Sequence, residues 1–221
     1  MNKEHKKYYH DSYSQVMYTG FVGIYSKLAH LLMERPYNKK SFDKILEVGA
    51  GHGEHLSAVR CDFEEYIQSD IDIKLLKITK KLPRNVKNIS LDAQDLSIFK
   101  DNEFDRVVVT CLLAHLDNPR AALIEWQRVV KNGGFITLYI PTEMGLLLRL
   151  ARRFIMVPKS RKHGQDHMRV VNLDHRNHYP YMRALLEDTY SSNKVIKNLY
   201  PFPKLTYDFN LFEIWQIKVN K

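Results

Sequence analysis

Three carboxylates and one imidazole stand where this sequence is best equipped for chemistry on a small molecule. Glu47, Asp70 and Asp92 each close an apolar run, and His115 lies five residues past Thr110, the end of a fourth. A carboxylate at such a point accepts hydrogen bonds from hydroxyl or amino groups, and an imidazole titrates where it can remove a proton near neutral pH. A second polar cluster, Asp174-His175-Arg176-Asn177-His178-Tyr179-Pro180, adds His175, His178 and Arg176 as binding or proton-removing candidates. Between Glu47 and Asp70 the stretch Gly49-Ala50-Gly51-His52-Gly53 places glycines at alternate positions. Glycine adopts positive φ cheaply and carries no Cβ, so this turn lets backbone approach a ligand closely. Cys61 and Cys111 fall in different elements, which predicts neither a disulfide nor a metal-ligand cluster, and metal-independent chemistry is expected.

The surrounding elements would place the glycine turn at the carboxyl end of the first strand of an α/β sheet, where such folds bind ligands. Lys44 to Leu46 reads as a buried strand, Phe63 to Asp70 as a second, Val86 to Leu91 as a third and Phe104 to Thr110 as a fourth. Asn118-Pro119 has the form of an N-cap followed by a first-turn proline, opening a helix over 121–130, and Asn132-Gly133-Gly134 is expected to stop it. A fifth strand, a helix from Tyr181 and two last strands complete the chain. The run Leu46-Glu47-Val48-Gly49-Ala50-Gly51-His52-Gly53-Glu54 resembles motif I of the class I methyltransferases, which bind S-adenosylmethionine. A dinucleotide site wants a small third residue in its glycine fingerprint, and here that position holds Glu54. Glu125…Arg128-Val129-Val130-Lys131-Asn132-Gly133-Gly134 is similar to a second element of small-molecule methyltransferases. These landmarks cover about residues 43–141.

The resemblance implies a single domain over 1–221. Its expected fold is a Rossmann-like, doubly wound α/β sheet, mostly parallel, with an antiparallel last strand and helices on both faces. Residues 1–40 would form an N-terminal helical cap and 141–180 a basic lid inserted over the substrate. It assigns S-adenosylmethionine as cofactor, with S-adenosylhomocysteine as product, and a methyl transfer to a hydroxyl or amine. Cofactor contacts are expected from Glu47, Gly49, Ala50, Gly51, Gly53, Asp70, Ile71, Asp92, Ala93, Gln94, Thr110 and Cys111. Asp70 would take the ribose hydroxyls and Asp92 the adenine amino group, while Asp72 caps the helix that follows. His115, or else His178, is the expected base. Tyr13, Tyr18, Arg152, His175 and Arg176 are the expected acceptor contacts.

Charge sharpens the acceptor expectation. The 221 residues carry +9, and 141–176 holds eight Lys or Arg against three acids. A basic lid predicts a small anionic acceptor such as a sugar, nucleotide-sugar or glycan precursor, as in surface-polysaccharide biosynthesis. Three other readings stay open: a quinone, lipid or RNA acceptor, a membrane-surface role for 146–157, and a silent cofactor-binding partner subunit. The sequence after the fourth strand, Thr110-Cys111-Leu112-Leu113, lacks the Asn/Asp-Pro-Pro-aromatic clamp of base methyltransferases, so DNA is not an expected partner. A polar, charged opening segment predicts a cytoplasmic protein, monomeric or homodimeric. Phe21, Ile24, Tyr25, Leu28, Leu31 and Leu32 fall at helical spacing and form one apolar stripe, in a region expected to help complete the acceptor pocket.

Overall fold

Apolar β-branched runs make the sheet, and their order in space sets the site. In the computed structural model, which describes residues 3–76 and 85–221, seven strands form one sheet. They are β1 (Ser41–Val48), β2 (Asp62–Asp70), β3 (Val86–Ser90), β4 (Phe104–Thr110), β5 (Val130–Pro141), β6 (Lys194–Tyr200) and β7 (Phe212–Lys218), in the order β3-β2-β1-β4-β5-β7-β6. Neighbours from β3 to β5 pair in parallel, and β7 lies antiparallel between β5 and β6. This is the doubly wound topology expected from the sequence. The strand order reverses between β1 and β4, and the crevice beyond their carboxyl ends is where such sheets bind ligands.

Helices cover both faces. In chain order they are α1 (Lys3–Asp11), α2 (Tyr13–Met17), α3 (Gly20–Glu34), α4 (Ile73–Leu76), α5 (Pro119–Val129), α6 (Leu146–Ala151), α7 (Val157–Arg161), α8 (His167–Asp174) and α9 (Tyr179–Thr189), with a π-helical segment Arg152–Met156 joining α6 to α7. One core cluster packs Trp126, Leu123 and Val129 of α5, with Met182 and Leu186 of α9, onto Val107, Val109, Ile136 and Trp215 of the sheet. A second packs Ala29, Met33 and Tyr37 against Ile45, Tyr66 and Val108 on the other face.

One local expectation changes. The Asn132-Gly133-Gly134 segment does not stop a helix, because α5 has already given way to β5 at Val130. Gly133 instead has φ 78°, and a Cβ on Gly134 would meet the Asp105 carbonyl at 2.8 Å, where the β4–β5 register shifts. The glycines therefore allow a bulge in the sheet. The stripe on α3 divides: of its six residues, Phe21 and Tyr25 line a cavity. Phe21, Ile24, Leu28 and Leu31 are exposed, and α3 turns Ala29, His30, Met33 and Glu34 inward.

Candidate functional site

Beyond β1 the chain turns on Gly49, Gly51 and Gly53, with φ of 68°, 55° and 76°. A Cβ on Gly49 would strike the Leu112 side chain at 2.7 Å, so a larger residue would displace the wall opposite. The turn is pinned from both sides. Ala50 N–H donates to the Ser69 carbonyl at 2.9 Å and Gly53 N–H to the Ala50 carbonyl at 2.8 Å. Gly51 N–H donates to one Asp70 oxygen at 2.9 Å, and Asp72 N–H donates to the other at 2.9 Å. Each Asp70 oxygen thus keeps a free lone pair, and burial raises its pKa above the usual carboxylate value. Asp72 accepts from Lys74 N–H at 3.1 Å and caps α4.

Around this turn lies a cleft of about 270 Å³, in order of magnitude that of small-molecule sites. Of the expected cofactor residues, Gly49, Gly51, Asp70, Ile71, Asp92, Ala93, Gln94, Thr110 and Cys111 line it. Glu47, Ala50 and Gly53 do not. Glu47 is fully buried behind the turn, accepting from Tyr66 and Gln68 at 3.0 Å each, and burial raises its pKa. Its effect on the cleft is through the turn it backs. Asp92 accepts from Gln94 N–H at 2.9 Å with the same oxygen that takes the Gln94 amide, which leaves its other oxygen to the cleft. The Glu125 and Arg128 side chains tie this loop down. Glu125 accepts from Leu96 N–H, and Arg128 donates to the Leu96 and Phe99 carbonyls. Trp126 holds the Ala93 carbonyl at 3.0 Å.

Next to the cleft is a second cavity of about 160 Å³, walled by Met17, Val22, Tyr25, Tyr139, Ile155 and Met156 among others. Tyr9, Tyr13, Cys111 and His115 line both cavities and form the partition between them. Cys111 holds φ 53°, a strained value for a residue with a side chain, at the centre of this partition. Burial pushes its thiol up to about 12, which favours the protonated thiol near neutral pH.

The partition carries an imidazole held by a carboxylate. His115 Nδ1 lies 2.9 Å from Asp174 Oδ2, and the Tyr9 hydroxyl donates to the same oxygen at 2.8 Å. With Nδ1–H donated to the carboxylate, Nε2 is the basic nitrogen of this tautomer. Beside it the His175 ring packs edge-on, its centroid 4.5 Å from that of His115, and its Nδ1 bonds Glu143, which also pairs with Arg152. Burial alone would raise the Glu143 carboxyl, but the His175 hydrogen bond and the Arg152 charge hold it down at about 2. Burial lowers the His175 pKa.

Two distant segments deliver these groups. Buried Asn177 donates to the Leu113 and Leu116 carbonyls at 3.0 and 2.8 Å, clamping the end of the lid onto the loop after β4. The α1–α2 strap closes over the top. Ser14 bonds Glu54 on the cofactor side, and Tyr8 bonds His167 on the lid side at 3.2 Å.

Several expected residues fall elsewhere. His178 is exposed and caps α9, its Nδ1 accepting from Tyr181 N–H, so it is not placed to remove a proton. Tyr18 bonds His30 at 3.1 Å and reaches neither cavity. Tyr13 lines both cavities, Arg152 and His175 the second, and Arg176 the cofactor cleft, where it pairs with Asp117. Sequence reasoning missed His52, Tyr139, Glu143 and His167, while Tyr9 belongs to the tyrosine-rich opening segment and Leu112 to the segment after the fourth strand that the resemblance places at the cofactor. Asp174 was visible only as one member of its polar cluster.

Residues 46–138 match the family model described as a methyltransferase domain. The chain carries a class I methyltransferase domain. Its cleft suits the family's cofactor, S-adenosylmethionine, because half-buried Asp70 and Asp92 and the close-approach glycines face one space. Among curated relatives, the methyltransferase domain is similar to the ubiquinone/menaquinone biosynthesis C-methyltransferase UbiE of Coxiella burnetii, 32% identical over 104 residues, covering 43% of this chain and 41% of that protein. A demethylmenaquinone methyltransferase of Staphylococcus saprophyticus is 30% identical over 152 residues, covering 61% of this chain and 63% of that one. The match to the first of these thus spans about two-fifths of the relative's length. Among solved structures, a methyltransferase in complex with the Trm112 activator of Haloferax volcanii aligns with a TM-score of 0.69 at 14% identity, over 100% of both chains. The plantazolicin methyltransferase BpumL, solved with a substrate analog and S-adenosylhomocysteine, aligns at 0.68 and 13% identity, over 98% of this chain and 94% of that one. At these identities the likeness is one of fold.

Proposed function

We propose that the protein transfers a methyl group from S-adenosylmethionine to a hydroxylated aromatic acceptor, on the ring or its oxygen. The observation that carries this reading is the second cavity. Its walls are apolar and aromatic, and it meets the cofactor cleft at His115. The anionic sugar acceptor expected from the basic lid loses its support here. Arg152 is the one expected lid cation that lines the cavity, and Glu143 already neutralises it, while Arg153, Arg161 and Lys162 face solvent. The relatives named for quinone substrates favour the same chemistry.

In this reading Asp70 accepts from the ribose, Asp92 and the 93–94 backbone meet the adenine, and the glycine turn lies beneath the methionine part. Bound S-adenosylmethionine supplies an electrophilic methyl on a sulfonium. The tyrosine-walled partition presents Tyr9 and Tyr13 near that cation, which aromatic rings favour. His115 Nε2 takes the acceptor's hydroxyl proton, and the Asp174 carboxylate stabilises the imidazolium that forms. The loss of that proton makes the acceptor electron-rich as it bonds the methyl carbon. Apolar walls hold the acceptor in one orientation and keep water from competing, the main contribution available to an in-line displacement.

The test is methyl transfer to a short-chain hydroxynaphthoquinol by the wild-type protein, His115→Gln and Asp174→Asn. Expected is a loss of roughly 10²–10⁴-fold in kcat for His115→Gln and a smaller loss for Asp174→Asn, with cofactor affinity kept. Unchanged kcat in His115→Gln would remove His115 from the chemistry. A wild-type protein that methylates no hydroxyaromatic would overturn the acceptor class.

A further inference from the structure

We propose that the face surrounding the mouth of the acceptor cavity docks on an anionic lipid bilayer. Phe21 and Ile155 both line the cavity and are exposed, at 70% and 40%, so they form its rim. From that rim α3 presents Ile24 and Leu28 outward, Ile24 at 69% exposure. Across the mouth, the helical lid exposes Leu146, Leu150 and Phe154, each one turn beyond the last, with Phe154 at 69%. α6 packs against the turn Tyr207–Phe209, where Phe209 is also exposed. Scattered exposed apolar residues are ordinary, but a band of them around the opening of an apolar cavity marks an interaction surface.

The charges identify the partner. Arg149 and Arg153 follow the same one-turn spacing as Leu146, Leu150 and Phe154, and Arg161 and Lys162 extend the lid beyond them. These four cations are exposed, and among the described residues none forms an ion pair with a carboxylate. An apolar stripe flanked by arginines is the pattern of a helix lying in a headgroup region, and anionic lipids attract the cations. No described helix is long and apolar enough to cross a membrane, which fits a face that lies on the bilayer. A second copy of the chain fits less well, since a two-fold contact through this face would bring the arginine rows together. The inference rests on the apolar-acceptor reading for its purpose: an acceptor dissolved in lipid enters the cavity without crossing water.

The experiment is co-sedimentation of the full-length protein with vesicles of phosphatidylcholine alone or with phosphatidylglycerol, without acceptor. Binding is expected to the anionic vesicles, weakening with added salt. Arg149→Gln with Arg153→Gln should lower partitioning about thirtyfold, and Ile24→Ser with Phe154→Ser at least tenfold. Methylation of a water-soluble short-chain acceptor should be unchanged in both pairs, which shows that they fold. No wild-type binding, equal binding by all variants, or a solution dimer dispersed by Phe154→Ser would overturn the proposal. Vesicle binding in a protein that methylates no hydroxyaromatic would remove the acceptor reading and leave docking standing.

Discussion

In the proposed function, the four side chains where the two cavities meet, Tyr9, Tyr13, Cys111 and His115, decide what passes and what reacts. His115 has a carboxylate behind it, and Cys111 holds a strained backbone. Replacing Cys111 by valine places a β-branched side chain at positive φ, which should cost about 1–3 kcal/mol of stability. It should also narrow the partition and raise the acceptor KM, whereas Cys111→Ala should do neither strongly; chemical denaturation and steady-state kinetics check both. Asp70→Ala removes a charged acceptor from the cleft and should weaken S-adenosylmethionine binding about ten- to a hundredfold, read by calorimetry. At this scale the cofactor half was legible, because glycines and strand-end carboxylates are local in sequence. The proposed catalytic pair was not. His115 and Asp174 are brought together by the Asn177 clamp and the backbone bonds beside it, and nothing in the local pattern of either announces the other.

Elements were read from pattern where pattern has one meaning. The β-branched runs gave strands β1 to β5, and Asn118-Pro119 opened α5 as its capping chemistry requires. Apolar residues at helical spacing on α3 look the same in sequence whether they face a core, a cavity or solvent. Beside Ala29 and Met33, α3 buries polar groups. Glu34 accepts two hydrogen bonds from Arg106 at 2.6 and 2.9 Å, the Arg106 guanidinium lies 3.9 Å from the Tyr37 ring, and His55 bonds Glu34 at 2.9 Å. Burial alone would raise the Glu34 carboxyl, but Arg106 and His55 hold it near 2. Removing one partner, as in Glu34→Ala, strands a buried guanidinium and should cost about 3–5 kcal/mol, measured as a fall in the urea midpoint. Asn177→Ala should cost about 1–3 kcal/mol and raise the acceptor KM more than it weakens cofactor binding.

Over the whole molecule, the net charge of +9 was legible as a number, while the direction in which it points was not. Most of the lid's charge faces outward, which no count along the chain reveals. Buried histidines set the response to acid. Burial lowers His30 to about 3, with the neighbouring His55 adding to it, and lowers His167 to about 4, with Arg152 adding to it. The unfolded chain protonates both near the ordinary value of 6.5, before the folded chain does. Their contribution to stability is therefore full above that value and lost as pH falls toward 4, on the order of a few kcal/mol. Thermal melts between pH 7 and 4 should fall steeply, and His167→Gln should flatten part of that fall.

The most direct measurement offers purified protein and methyl-labelled S-adenosylmethionine a short-chain hydroxynaphthoquinol and a nucleotide-sugar in the same reaction. Label should enter the quinol alone, at a rate that collapses in His115→Gln. Label in the nucleotide-sugar, undiminished in that variant, would contradict both the apolar acceptor and the role of the partition.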